Sequence, residues 1–205
     1  DGRDLNHLMP GKTNGSVSEL YAYRLIDRVV RHFDFLVDLH TASFGRVNSL
    51  YIRTDLDHEV AGLMARRLRP QILLHNPPSD RTLRGTAMEL GIPAVTLEIG
   101  NPHQFQKRYI QASLTGLRGL MGELGLMPKR KIAEGPSPVI CRSSEWLYTD
   151  RGGFLQLGPD VTDFVAEGDS VGRLTNAYGD LVTEYRAPRA GIVIGTHNGT
   201  IYNAN

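Results

Sequence analysis

The chain has 205 residues, 40% of them apolar and 22% charged, with a net charge of +1; that is enough for one good core, or for a larger domain and a smaller one. So balanced a charge gives no broad basic surface, which argues against nucleic acid as a partner. One cysteine, Cys141, excludes an internal disulfide, no apolar run reaches the roughly 18 residues of a membrane span, and no signal-peptide pattern opens the chain; the expectation is a soluble, cytoplasmic protein.

The stretch "SVSELYAYRLIDRVVRH" (16–32) predicts an amphipathic helix. Ser16 and Glu19 have capping-box spacing, and Val17, Leu20, Tyr21, Leu25 and Val29 recur every three to four residues. "FDFLVDLH" then reads as a buried strand ending in Asp38 and His40, and "SLYIRT" as a second strand. "DHEVAGLMARRL" predicts a helix with Val60, Leu63, Met64 and Leu68 on one face. The alternation continues with "QILLH" (strand), "RTLRGTAMEL" (helix) and "PAVTLEIG" (strand). A long helix around 104–125 follows, its apolar stripe drawn from Phe105, Tyr109, Ile110, Leu114, Leu117, Met121 and Leu124. Strands alternating with helices predict an α/β layer around a mixed, mostly parallel sheet.

The texture changes at "PKRKIAEGPSP" (128–138), a proline- and charge-rich linker. Beyond it come short alternating runs broken by glycine and proline, the pattern of a small all-β barrel or sandwich. Two domains are expected, an α/β domain over 1–130 and a β domain over 137–205.

Several residues could carry chemistry. His40 closes a buried strand, where open α/β sheets place their ligand crevices. Asp38, two residues earlier, shares its face and can orient the imidazole as a carboxylate orients a metal-bound histidine; a plain hydrogen-bonded pair at a strand end is the other reading. Glu98 lies in an apolar strand, a costly place for a carboxylate unless it is paired or functional. Arg81 and Arg84 precede that strand, and arginine can grip a carboxylate through two parallel hydrogen bonds. The opening "DGRDLNH" adds Arg3, Asn6 and His7 in a turn-rich stretch.

Taken in order, "DGRDLNHLMPG", "VDLHTAS", "TLRGTAMELGIPAVTLEIG" and the tail "GDSVGRLTNAYGDLVTEYRAPRAGIVIG" resemble the succinylglutamate desuccinylase/aspartoacylase family, relatives of the zinc carboxypeptidases. The resemblance covers essentially the whole chain and implies a zinc-carboxypeptidase-like fold. It implies one Zn2+ held by the His and Glu of an H-x-x-E motif and by the strand-end histidine, here His40. It further implies that Glu98 is the general base on a metal-bound water. Asn6 and Arg84 would bind the substrate carboxylate, and the β tail would flank the mouth of the site. The tail is also similar to the biotinyl/lipoyl fold, but no lysine sits in a suitable modification turn.

Two departures from the family pattern stand out. The family reads D-L-N-R where this chain reads D-L-N-H, so His7 replaces an arginine and cannot reproduce its forked contact. No H-x-x-E occurs among the 205 residues; the resemblance puts that motif, and the arginine that polarises the scissile carbonyl, upstream of residue 1, with Arg3 as a substitute for the latter. The chain by itself is expected to bind zinc weakly or not at all and to be inactive. The intact protein is expected to be a zinc-dependent deacylase that cleaves the amide of a small N-acyl amino acid and is able to form homo-oligomers. A carboxypeptidase acting on peptides, and a non-catalytic binding or assembly relative, are the alternatives.

Overall fold

The structure is a computed structural model that describes residues 2–78, 81–129 and 135–197, together with the backbone of 201–202. Its helices are α1 (Val17–Arg28), α2 (Glu59–Arg67), α3 (Leu83–Glu89) and α4 (Lys107–Glu123). The first strands are β1 (Leu36–His40), β2 (Arg46–Asn48), β3 (Leu50–Thr54), β4 (Ile72–His75), β5 (Ala94–Ile99) and β6 (Val139–Cys141). The remaining strands are β7 (Gly153–Leu157), β8 (Phe164–Val165), β9 (Ser170–Thr175), β10 (Leu181–Arg186), β11 (Gly191–Ile192), β12 (Gly195–His197) and β13 (Ile201–Tyr202). Two compact units emerge, the first made of 1–40, 50–98 and 107–143, the second of 41–49, 99–106 and 144–205.

In the first unit a five-stranded sheet runs in the order β1-β5-β3-β4-β6. The β1–β5, β3–β4 and β4–β6 pairs are parallel. The central strands are apolar runs buried on both faces, as a sheet covered by helices requires: Ile52, Ile72, Leu73, Val95 and Leu97 are fully buried. Each such side chain contributes about 1.5–3 kcal/mol by leaving water. β3, α2 and β4 form one βαβ step, and β6, the outer strand, comes from beyond the proline-rich stretch.

α1 starts where the sequence places it. Ser16 Oγ accepts from the Glu19 N–H at 3.3 Å and Glu19 Oε2 accepts from the Ser16 N–H at 2.8 Å, a complete capping box. Its buried stripe differs from the expected one. Ala22, Ile26 and, past the helix end, Val30 are buried with Met9, Leu36, Ala87, Ile92 and Ala94, whereas Val17, Tyr21 and Val29 are exposed. The helix gives way to a 3-10 turn at Val30–His32, which turns Val30 inward in place of Val29.

α4 shows a larger difference. Of the expected stripe, Phe105, Ile110, Leu114 and Met121 are exposed and Tyr109, Leu117 and Leu124 are half-buried, while the buried residues of the helix are Ser113, Gly116, Leu120 and Gly122. At Gly116 α2 supplies the reason: a Cβ there would collide with the Leu68 carbonyl at the end of α2. Backbones this close leave no room for a side chain at the point of approach, so glycine stands there.

The second unit holds the antiparallel sheet β10-β9-β7-β13 and two small ladders, β11–β8 and β12–β2. β2 was not foreseen. Its three residues are too few to show a period, and its pairing partner lies far along the chain. The Ser49 N–H donates to the Ile194 carbonyl at 3.0 Å beside that ladder, and the Arg46 guanidinium lies 4.7 Å from the centre of the Trp146 ring. The fold is therefore α/β with a mostly parallel sheet and additional antiparallel sheets.

Candidate active site

β1 and β5 pair in a register that sets Asp38 opposite Thr96 and His40 opposite Glu98. Register partners of a parallel pair point to the same face, as do residues two apart on one strand. Asp38, His40 and Glu98 therefore share one face at the carboxyl ends of two neighbouring strands. Asp38 Oδ2 lies 2.9 Å from His40 Nε2. That bond raises the histidine's pKa above its ordinary value, against the opposing pull of partial burial. It also leaves Nδ1 as the ring nitrogen that the carboxylate does not use, the arrangement in which a carboxylate fixes a metal-binding imidazole.

Glu98 is 4% exposed. The cost of burying its charge is offset by Arg53 of β3, whose Nη2 donates to Oε1 at 2.6 Å. Arg53 was missed in the sequence. The signal was there, an arginine inside "LYIRT" and a glutamate inside "AVTLEI", complementary charges in two otherwise apolar strands.

The other expected residues gather elsewhere. Asp4 Oδ1 accepts from the Asn6 N–H at 2.9 Å, shaping the 3-10 turn Leu5–His7. Asn6 Oδ1 accepts from the Leu83 N–H at 2.9 Å, at the first turn of α3. Arg84, 1% exposed, donates through Nη1 to the Asn76 carbonyl at 3.0 Å and through Nη2 to Asn76 Oδ1 at 2.8 Å. Asn6 thus binds the first turn of α3, and Arg84, from that same turn, reaches Asn76. Arg3 Nη1 is 3.7 Å from Glu19 Oε2, and the exposed His7 has its Nε2 3.7 Å from Asp4 Oδ2.

Among the described residues His40 fits one zinc-ligand position, since it is held by Asp38 and has a second ring nitrogen to offer, but a single imidazole does not hold the ion. One further group, Asp55, Asp57 and His75, brings three ligand-type atoms within 4.8 Å of one another among the described residues. His75 Nδ1 accepts from the Leu56 N–H at 3.2 Å, which puts the proton of the neutral ring on Nε2, and Arg142 Nη1 donates to Asp57 Oδ1 at 2.7 Å. That arginine also holds the Asp57 carboxyl below its usual range. The Leu56 N–H, the Asp57 N–H and Arg142 each occupy one acceptor of the group, which braces the turn after β3.

Residues 1–124 match the succinylglutamate desuccinylase/aspartoacylase catalytic domain. The chain belongs to this family. Its members are deacylases of the desuccinylase/aspartoacylase type. The fold agrees with solved structures: the apo ectoine utilization protein EutE (DoeB) of Ruegeria pomeroyi is 22% identical, with a TM-score of 0.84 over 99% of this chain and 67% of that one. A succinylglutamate desuccinylase from Silicibacter sp. TM1040 is also 22% identical, with a TM-score of 0.86 over 100% of this chain and 65% of that one. A succinylglutamate desuccinylase/aspartoacylase from Rhodobacter sphaeroides, 19% identical, gives 0.85 over 100% and 66%. At these identities the likeness is one of fold, and this family member spans about two thirds of their length, between 65% and 67%. No curated protein matches it. Among the described residues, no helix is long and apolar enough to cross a membrane.

Proposed function

We propose that the intact protein is a zinc-dependent deacylase that hydrolyses the amide bond of a small N-acyl amino acid or related compound. The observation that carries this reading is the register pair His40 and Glu98, each held by a partner of opposite charge type at the carboxyl ends of β1 and β5. His40 would be a ligand of the zinc ion, with Asp38 keeping its ring oriented. Zinc, when bound, supplies Lewis acidity toward a carbonyl and acidifies water. Glu98 takes the proton of the attacking water on its carboxylate and returns it to the departing amine, so one group serves as base and then as acid.

Asn6, Arg84 and Arg3 are assigned to the substrate side, with residues 1–130 as the catalytic domain and 137–205 as a β domain. His7 stands where the family pattern has arginine. A neutral or singly protonated ring there recognises a carboxylate less firmly than a guanidinium does, which shifts preference away from the substrates of D-L-N-R relatives.

The test is amine release from a panel of N-succinyl and N-acetyl amino acids and of dipeptides, with zinc content measured on the same intact protein. Hydrolysis of at least one N-acyl amino acid by a protein containing about one zinc supports the reading. Turnover of the dipeptides alone would make it a carboxypeptidase, and a zinc-free, inactive protein would make it a binding relative.

A further inference from the structure

We propose that Arg53 is the positioning residue of Glu98, acting on the reaction only through that carboxylate. The inference rests on the reading of Glu98 as the general base. Its ground is the contact itself: Arg53 Nη2 donates to Glu98 Oε1 at 2.6 Å, with the carboxylate side chain 5% exposed and the guanidinium side chain 32% exposed.

Both residues come from rigid elements. β3, which carries Arg53, lies between β5 and β4, and Arg53 is the register partner of Leu74 on β4. β5, which carries Glu98, lies between β1 and β3, so neither residue stands on an edge strand. A general base has to present its accepting oxygen within about 0.5 Å of the productive place. A glutamate has three side-chain torsions, and burial excludes clashing rotamers without selecting one orientation of the carboxylate. A charge-assisted bond to one named oxygen does select it, because the guanidinium is planar and its own strand is fixed. Arg53 touches neither substrate nor metal in this account.

A purely structural ion pair would look the same in coordinates, so the test must separate the two roles. It uses the intact protein and the N-acyl amino acid it hydrolyses, with wild type, Arg53→Gln, Arg53→Lys, Glu98→Gln and the double variant Arg53→Gln/Glu98→Gln. The double variant removes both charges, so no buried charge is left uncompensated. Melting curves and zinc content are recorded for each and are expected to stay close to wild type in Arg53→Lys and in the double variant.

Arg53→Gln is expected to lower kcat on the order of 100-fold, the scale of a misplaced catalytic group, with KM within about threefold. Arg53→Lys restores kcat to within roughly tenfold of wild type, and the double variant is no slower than Glu98→Gln, because residues acting as a unit are not additive. Wild-type kcat in Arg53→Gln would overturn the inference alone, as would an equal loss from Arg53→Gln in the Glu98→Gln background. Full activity in Glu98→Gln would overturn the reading of the base, and this inference with it.

Discussion

His40 and Glu98 are direct register partners across the parallel pair β1 and β5, and each is held by its own neighbour, Asp38 by a 2.9 Å contact and Arg53 by one of 2.6 Å. The pairing sets an imidazole and a carboxylate side by side without relying on loops, so their separation is fixed by backbone hydrogen bonds. Sites built on strands keep their geometry better than sites built on loops.

The contact from Asp38 to His40 Nε2 gives a prediction about metal. In the intact protein, His40→Ala should abolish stoichiometric zinc, and Asp38→Asn should weaken zinc binding about 10- to 100-fold, the usual effect of losing a carboxylate behind a metal-bound imidazole. Competition against a chromogenic chelator measures both. Residues 1–205 alone should lose the ion to the same chelator at once, since they offer one imidazole at this site.

The crossing of α2 and α4 gives a second prediction. Gly116→Ala should destabilise the protein by about 1–3 kcal/mol, because the new methyl meets the Leu68 carbonyl in a packed interior. Gly122→Ala, on the same helix, meets only ordinary contacts with Pro128 and Lys129. It should be neutral or stabilising by up to about 1 kcal/mol through helix propensity. Urea unfolding of both variants checks the contrast; equal effects would contradict the packing described for Gly116.

The capping box of α1 gives a third, in pH. The Ser16 N–H bond, and then the Ser16 side chain, lower the Glu19 pKa below its ordinary value of 4.5. A lowered folded-state pKa means that the stabilisation is fully present above the ordinary value and is lost as pH falls through the lowered one. Melting temperature should therefore carry an acid-side component below pH 4.5 that Glu19→Gln lacks. Ser16→Ala should cost about 1 kcal/mol at neutral pH and progressively less in acid.

Much of this architecture is legible in the sequence, for reasons that differ by element. "VDLH", "QILLH" and "PAVTLEIG" are apolar runs bounded by breakers, and each becomes a strand of the five-stranded sheet. The helix starts follow from capping groups such as Ser16. What sequence period does not reveal is which face a neighbour approaches. α4 buries Gly116 because α2 leaves no room there even for a Cβ, a close approach that hydrophobic period does not register. Short strands are equally silent: β2 and β6 have three residues each and exist through distant partners. At the site, Asp38, His40 and Glu98 could be named from motif order, whereas Arg53 required the sheet order, since no local pattern joins positions 45 residues apart.

The most direct test of the central claim is the turnover of Glu98→Gln in the intact, zinc-loaded protein. Glutamine keeps the shape of the side chain and removes its ability to accept and return a proton. Zinc content should be unchanged, KM within a fewfold of wild type and kcat lower by about 10²–10⁴-fold, the range for losing a general acid–base group. Wild-type kcat in Glu98→Gln would contradict the claim.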